Sequence, residues 1–573
     1  MLKKSLIIIV LLNLILISLK AQVSREDEEL KREITLYNPY KPSLPAVRKR
    51  SFLPNMNDTA KVNLVINYDI RPSKFAPVYT IRPIRSAALL PDPLPKLYKS
   101  YVKIGLGNFF TPLAEISITN ERSKKGAAGF YGRHYSSNGK ILLQNKERIF
   151  AGIMDNEASL FGKKFFRRSV LGGSVNFLQN IRYAYGYKPE ITDYDPSRKD
   201  IKLVYNNIGV KSSFASLNLD SSDLSYDFEL FYNFFQNSTS LFQNHAGFSG
   251  TMATIFGGFY LGSGLDFDYY KLSDSIMTEP KYIFSLNPFI KKSTEQYNIK
   301  LGVLATVEKN LTDSPRLHIY PDINFGFSVV PEYITFYTAL NGKLEKNEPE
   351  RAIIQNPFII PDGSLFTLPN TDHSLVVSAG LRGNNGLGGN YHLSVSYSLI
   401  NDLILYSNIV FPDTASRVER GNYFIPLEED AELLNIHGEI NGVISDKLTY
   451  NASGNYYSYT LSANEYPWNK PSWDGRVAVN YNLRNKIIAG IEVTALGKSK
   501  FMISESPTGW LTLSPTVIEK SPHFNLNLNA EYRYTRILSF WIKFSNISTK
   551  RYYEWAFYPS HRYLFMTGFT YSL

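Results

Sequence analysis

The sequence predicts an all-β protein: a single large transmembrane antiparallel β-barrel behind a short, extended, Pro-rich N-terminal segment. Three observations predict it. Apolar and polar residues alternate with period two through most of the chain beyond residue 97. Beyond the first 21 residues no stretch approaches the roughly 18 apolar residues of a membrane helix, which leaves strands as the route through a bilayer. The chain also stops inside a strand pattern, "LFMTGFTYSL", with Phe565, Phe569, Tyr571 and Leu573 on one alternation, where a soluble domain usually has a polar, frayed tail. A strand there needs a partner, and closure of a barrel supplies one.

The composition bounds the rest. The 573 residues include 40 Tyr, 36 Phe and 5 Trp, a high aromatic content, and no Cys. That removes disulfides, a cysteine nucleophile, thiolate metal sites and lipid attachment at an N-terminal Cys. Residues 1–21 read as a signal peptide: Lys3 and Lys4 precede an apolar run from Leu6 to Ile17, and Ala21 precedes Gln22. The formal charge of +11 falls by three when Lys3, Lys4 and Lys20 leave with that leader. A barrel spreads such charge over loops and lumen, and no nucleic-acid motif accompanies it.

Residues 22–97 form the second segment. "QVSREDEELKR" opens it, and ten of the 30 prolines lie between Pro39 and Pro95. Proline fixes φ, removes an N–H and pushes its predecessor into extended backbone. The segment is therefore expected to be extended, with one strand at "KVNLVINYDI" (61–70). Its apolar and basic mix, "PAVRKRSFLP" and "YTIRPIRSAALLP", suggests a segment that partly fills a lumen.

Residues 98–573 are the barrel. Val102, Ile104, Leu106, Ala114, Ile116 and Ile118 alternate with Lys103, Gly105, Gly107, Glu115, Ser117 and Thr119. Tyr226, Phe228, Leu230 and Tyr232 alternate with Ser225, Asp227 and Glu229. Phe524, Leu526, Leu528 and Ala530 alternate with Asn525, Asn527, Asn529 and Glu531. Alternation alone also fits a soluble sandwich. Strands of about ten residues, aromatic strand ends ("DFDYYKL", "NYYSYTL", "RYYEWAFY") and charged residues deep in the polar face favour the membrane barrel with a wet lumen. Short turns ("LRNK", "ISDK") alternate with longer loops (346–371, 409–429, 499–521), as expected of the two sides of an outer membrane. The count is expected to be roughly 16–22 strands, and closer to 18–22.

The last residues carry a resemblance. Gly568, Tyr571 and Leu573 match the C-terminal signature by which outer-membrane proteins are recognised for assembly, with Met566 where a polar residue is usual. "NISTKRYYEWAFYPSHRYLFMTGFTYSL" (546–573) resembles the end of TonB-dependent receptors, with Asn546, Tyr552, Tyr558, Pro559 and Arg562 at the matching places. The style of the chain is similar to outer-membrane proteins of Bacteroidetes. Residues 22–97 depart from that family, being too few and too Pro-rich for a standard plug domain. The resemblance implies a barrel of the outer membrane in transport or receptor work. Its expected surroundings are membrane lipid, lipopolysaccharide, the assembly machinery at the last strand, and a protein partner in the periplasm or at the surface. A passive porin-like channel and a structural or assembly subunit with an occluded lumen stay open beside it.

Chemistry is sparse, and no enzyme, cofactor or metal is expected. "GRHYSSNGK" places His134, Ser136 and Asn138 at alternate positions, which share a face if the strand continues. His-x-Ser resembles the pair of outer-membrane phospholipases and lipid A deacylases, in which His activates Ser towards an ester. The stretch reads as well as a loop turning at Asn138–Gly139, and that reading is preferred; a lipid esterase is the most distant alternative. The other histidines are scattered without metal-ligand spacing. "LEED" (427–430) and "DEEL" (27–30) read as solvated loops, and "GNNGLGGN" (383–390) as a hairpin turn.

Overall fold

The structure is a computed structural model that describes residues 100–120, 123, 125–191, 196–217, 224–310, 314–386, 388–410, 420–505, 515–548 and 551–572. The Pro-rich segment, its strand at 61–70, "DEEL" and Leu573 lie outside the described residues. The chain divides into two units, Met1–Pro91 and Asp92–Leu573.

Twenty-two antiparallel strands form one closed ring, at the upper end of the sequence expectation. Each pairs with its neighbours in the chain, and the ring shuts where Leu564–Ser572 meets Ser100–Gly107, from Tyr101 opposite Ser572 to Gly107 opposite Met566. Closure leaves no strand edge in lipid. No helix among the described residues is long and apolar enough to cross a membrane.

The alternation places the two faces. Ile118, Leu160, Val175, Ile208 and Leu230 project outward and stay exposed, a lipid-facing belt. Phe214, Tyr226, Phe228 and Phe248 stack in sequence on the same outer wall. The inner wall carries ion pairs: Glu115 with Lys103 and Arg133, Asp155 with Arg182 at 2.7 Å, and Lys211 with Glu229 at 2.6 Å.

The two rims differ. At the rim of Ser100 and Ser572 most connections are tight. Arg484 and Asn485 turn with positive φ between Trp473–Leu483 and Ile487–Leu496. "GNNGLGGN" is the expected hairpin turn, with Gly386 and Gly388 at positive φ. At the opposite rim several connections are long, 345–371 and 496–523 among them. "LEED" is not a solvated loop. It lies within the strand Arg420–Ser445, and Glu429 is buried, accepting the backbone N–H of Ser462, Ala463 and Asn464 at 2.7–3.0 Å. An acidic run can sit in a strand when one carboxylate satisfies the orphan donors of a neighbouring loop.

Candidate functional site

Over the long-loop rim the described loops pack into a lid. Two strands, Asn390–Val410 and Arg420–Ser445, run 21 and 26 residues, well beyond the roughly 9–11 a bilayer crossing needs. Their overhang carries Ile404, Tyr406 and Phe424, too apolar to stand alone in water. Ser499–Glu505 adds to this overhang in parallel, Ser407 facing Met502. The loop 346–370 brings a short helix, Pro349–Gln355, with proline pre-setting φ in its first turn, and a 3-10 turn, Gly363–Leu365, capped by Asp362. Between them Phe358–Ile360 pairs with the overhang: Phe424 N–H donates to Phe358 O at 3.0 Å and Ile360 N–H to Phe424 O at 2.9 Å. The segment Tyr553–Pro559 completes the lid.

These parts share one core. Ile359, Leu365, Phe366, Phe424, Ile503 and Tyr558 are each 2 % exposed or less. Tyr558 stacks on Phe358 at 3.8 Å, and Trp555 meets Phe424 at 5.2 Å. The Tyr558 hydroxyl donates to the Asn422 carbonyl. Burying each such side chain stabilises by about 1.5–3 kcal/mol, so the lid is a cooperative unit rather than a set of loose loops. "RYYEWAFY", read from the sequence as an aromatic strand end of the barrel, instead puts Tyr558 in the lid core with Trp555 packed against it.

Polar groups clasp the lid to the inner wall. Lys346 pairs with Asp268, and Asp268 with His245 Nε2 at 2.9 Å. Tyr270 donates to Glu348 at 3.0 Å, Asn207 to Glu350 at 2.5 Å, and Asn370 to Glu308 at 2.9 Å. Buried Lys281 donates to the Phe366 carbonyl at 2.9 Å, and Asn237 to the Pro361 carbonyl at 3.1 Å. Burial raises the Glu350 carboxyl above the ordinary range. Some of the histidines that look scattered in sequence are thus brought beside carboxylates: His245 joins Asp268, His318 joins Glu308 and His373 joins Glu345. Among the described residues no three such side chains converge on a metal position.

Beside the lid lies a recess of about 700 Å³, lined among others by Phe501, Lys520, His523, Arg551, Tyr552 and Phe557. Burial lowers the Lys520 amine to about 8 and raises the Glu554 carboxyl nearby. The recess is lined by both basic and aromatic groups.

The residues singled out from sequence fall elsewhere. The strand Gly126–Ser137 stops before Asn138, whose side-chain N–H donates to the Phe110 carbonyl at 3.1 Å, so Asn138 leaves the row of His134 and Ser136. His134 and Ser136 do meet, at 3.2 Å, and the other ring nitrogen of His134 meets Asn156 at 2.6 Å. Asn156 could have been found only through hairpin register, since it lies opposite His134 on the next barrel strand, Ile153–Phe165. Gly568 sits opposite Gly105 at the ring closure, with the indole of Trp541 against both. A Cβ on Gly568 would lie 2.0 Å from the Ile104 carbonyl oxygen. Tyr571 projects outward, exposed.

No family model matches the chain, and no curated protein matches it. Solved structures do. The ferric enterobactin receptor PfeA of Pseudomonas aeruginosa is similar over 83 % of this chain and 81 % of its own, with a TM-score of 0.58 and 12 % identity. The copper transporter OprC matches over 83 % and 80 %, with a TM-score of 0.58 and 12 % identity. The FrpB iron transporter of Neisseria meningitidis matches over 84 % and 82 %, with a TM-score of 0.61 and 10 % identity. At these identities the likeness is one of fold.

Proposed function

We propose that this chain is a TonB-dependent-receptor-like barrel of the outer membrane, working in solute transport or reception, with its surface mouth held shut by the lid. The observation that carries the reading is the apolar core at the long-loop rim. An open diffusion pore has no use for a fully buried Phe424 and Tyr558 across its mouth, whereas a receptor that admits one solute does. The likeness in fold to receptors and transporters for iron and copper supports the same reading. Within it, residues 22–97 are too few and too Pro-rich for a standard plug domain, the chain is of Bacteroidetes type, and the assembly machinery engages the last strand through Gly568, Tyr571 and Leu573. Lipopolysaccharide surrounds the barrel, and a protein partner joins it at the periplasm or the surface.

The test is conductance of the purified full chain in planar bilayers. Silence is expected from the intact protein, and steps of conductance once residues 347–369 are replaced by a short Gly-Ser linker. Steady conductance of the intact chain would make it a passive pore and overturn the proposal.

A further inference from the structure

We propose a second, independent site: a Ser136–His134–Asn156 triad on the outer, lipid-facing wall that hydrolyses fatty-acyl esters of membrane lipids. The inference rests on a directed chain of hydrogen bonds. Ser136 Oγ lies 3.2 Å from His134 Nε2. His134 Nδ1 lies 2.6 Å from Asn156 Oδ1. Asn156 Nδ2–H donates to Gln179 Oε1 at 2.9 Å, and Gln179 Nε2–H donates to Asn206 Oδ1 at 2.8 Å. Each amide fixes the next. With its N–H committed to Gln179, Asn156 presents its carbonyl oxygen to His134, which places the imidazole proton on Nδ1. The free lone pair of Nε2 then faces the Ser136 hydroxyl. That is the arrangement of nucleophile, base and orienting group that activates a serine.

The wall position names the substrate. His134 pairs across the sheet with Ala114 and Asn156, and Asn156 with Gln179. Phe130, Leu160 and Val175 follow on the same outward alternation, with Leu160 58 % and Val175 47 % exposed to lipid. Arg133 and Asp155 point the other way, into ion pairs of the lumen. The triad sits at the long-loop end of its strand, about 13 Å along the strand from Phe130. It therefore lies at one edge of the apolar belt, the depth of glycerol and sugar esters rather than acyl tails. The neighbouring turn holds Phe109 and Phe110 at φ of 59° and 48°, a left-handed conformation that costs bulky residues free energy and often marks a working site. Phe110 is exposed, while Asn138 pins its carbonyl.

The reaction balances without a cofactor. Ser136 Oγ attacks the ester carbonyl carbon as its proton passes to His134 Nε2. Collapse of the tetrahedral adduct expels the lipid alcohol, which takes that proton. Water, deprotonated by His134, then cleaves the acyl-serine to free fatty acid and restores the hydroxyl. Asn156 and Gln179 are positioning residues. Ser136 is only 3 % exposed, so its cover must move to admit an ester, and turnover is expected to be slow and quickened in mixed micelles.

The test uses the full chain, folded as judged by heat-modifiable migration. It is exposed to a fluorophosphonate probe, to phosphatidylethanolamine–phosphatidylglycerol vesicles, and to vesicles carrying lipopolysaccharide. Labelling at Ser136 and fatty-acid release are expected. Ser136→Ala and His134→Ala should each lower release at least roughly a hundredfold. Asn156→Ala should lower kcat with KM unchanged, and Asn156→Asp should restore part of it with a shifted pH profile. Release from one vesicle type alone identifies phospholipid or lipopolysaccharide as the ester source. Absence of release from both, or release that survives Ser136→Ala, overturns the proposal and leaves the row a structural ladder of polar side chains.

Discussion

Tyr558→Ala should unlatch the lid. The side chain is 1 % exposed, stacks on Phe358 at 3.8 Å and donates to the Asn422 carbonyl. Truncating a buried aromatic costs about 3–5 kcal/mol through lost burial and the cavity left behind. A loss near 4 kcal/mol multiplies the open population of the lid about a thousandfold. Tyr558→Phe keeps the stack and loses one hydrogen bond, about 1 kcal/mol or less than tenfold. Hydrogen exchange reads the difference. Amides of Asn356 and Phe358–Ile360, on a loop some two hundred residues away in sequence, should exchange far faster in Tyr558→Ala and slightly faster in Tyr558→Phe. Single-channel recordings of the alanine variant should show brief openings. Equal exchange at these amides in both variants would refute the reasoning, because the lid would then be separate loops rather than one core.

Three further outcomes follow from the same geometry. Gly568→Val should block ring closure, since its Cβ would meet the Ile104 carbonyl at 2.0 Å and the Trp541 indole at 2.6 Å; loss of the heat-modifiable folded band would show it, and a normal band would count against it. Glu429→Ala should leave three loop N–H groups without their acceptor, at about 1–3 kcal/mol for each group left buried and unpaired, and exchange at 462–464 should rise while the barrel strands stay protected. The third concerns pH. The folded Lys520 amine, lowered to about 8, binds fewer protons than the unfolded one between pH 8 and its ordinary value near 10.5, so protection around the recess should rise across that window. Glu554, raised in the fold, contributes the opposite slope from about pH 4.5 up to its folded value. Lys520→Gln should abolish the alkaline rise, and a rise that persists would assign it to another group.

What could be read from the sequence divides along physical lines. The wall was legible because a strand reports its environment locally: Ile104, Leu106 and Ile118 against Lys103, Glu115 and Ser117 need no knowledge of any other part of the chain. The ring closure was legible for a similar reason, since Phe569 and Tyr571 alternate along a last strand that pairs with the first. The lid was not. Phe358, Phe424, Ile503 and Tyr558 come from four separate stretches with no shared period, and none of them alone marks a core. Only the closed ring holds their anchor points close enough for burial to outweigh the entropy of ordering the loops. The triad lies between these cases. His134 and Ser136 are visible as a pair on one strand, but the third member is set by register, which placed Asn156 rather than Asn138 beside the imidazole. The same register puts Gln179 and Asn206 next in line on two further strands. A side-chain row built one residue per strand leaves no pattern along the chain, so a wall site of this kind appears only after the hairpins are aligned.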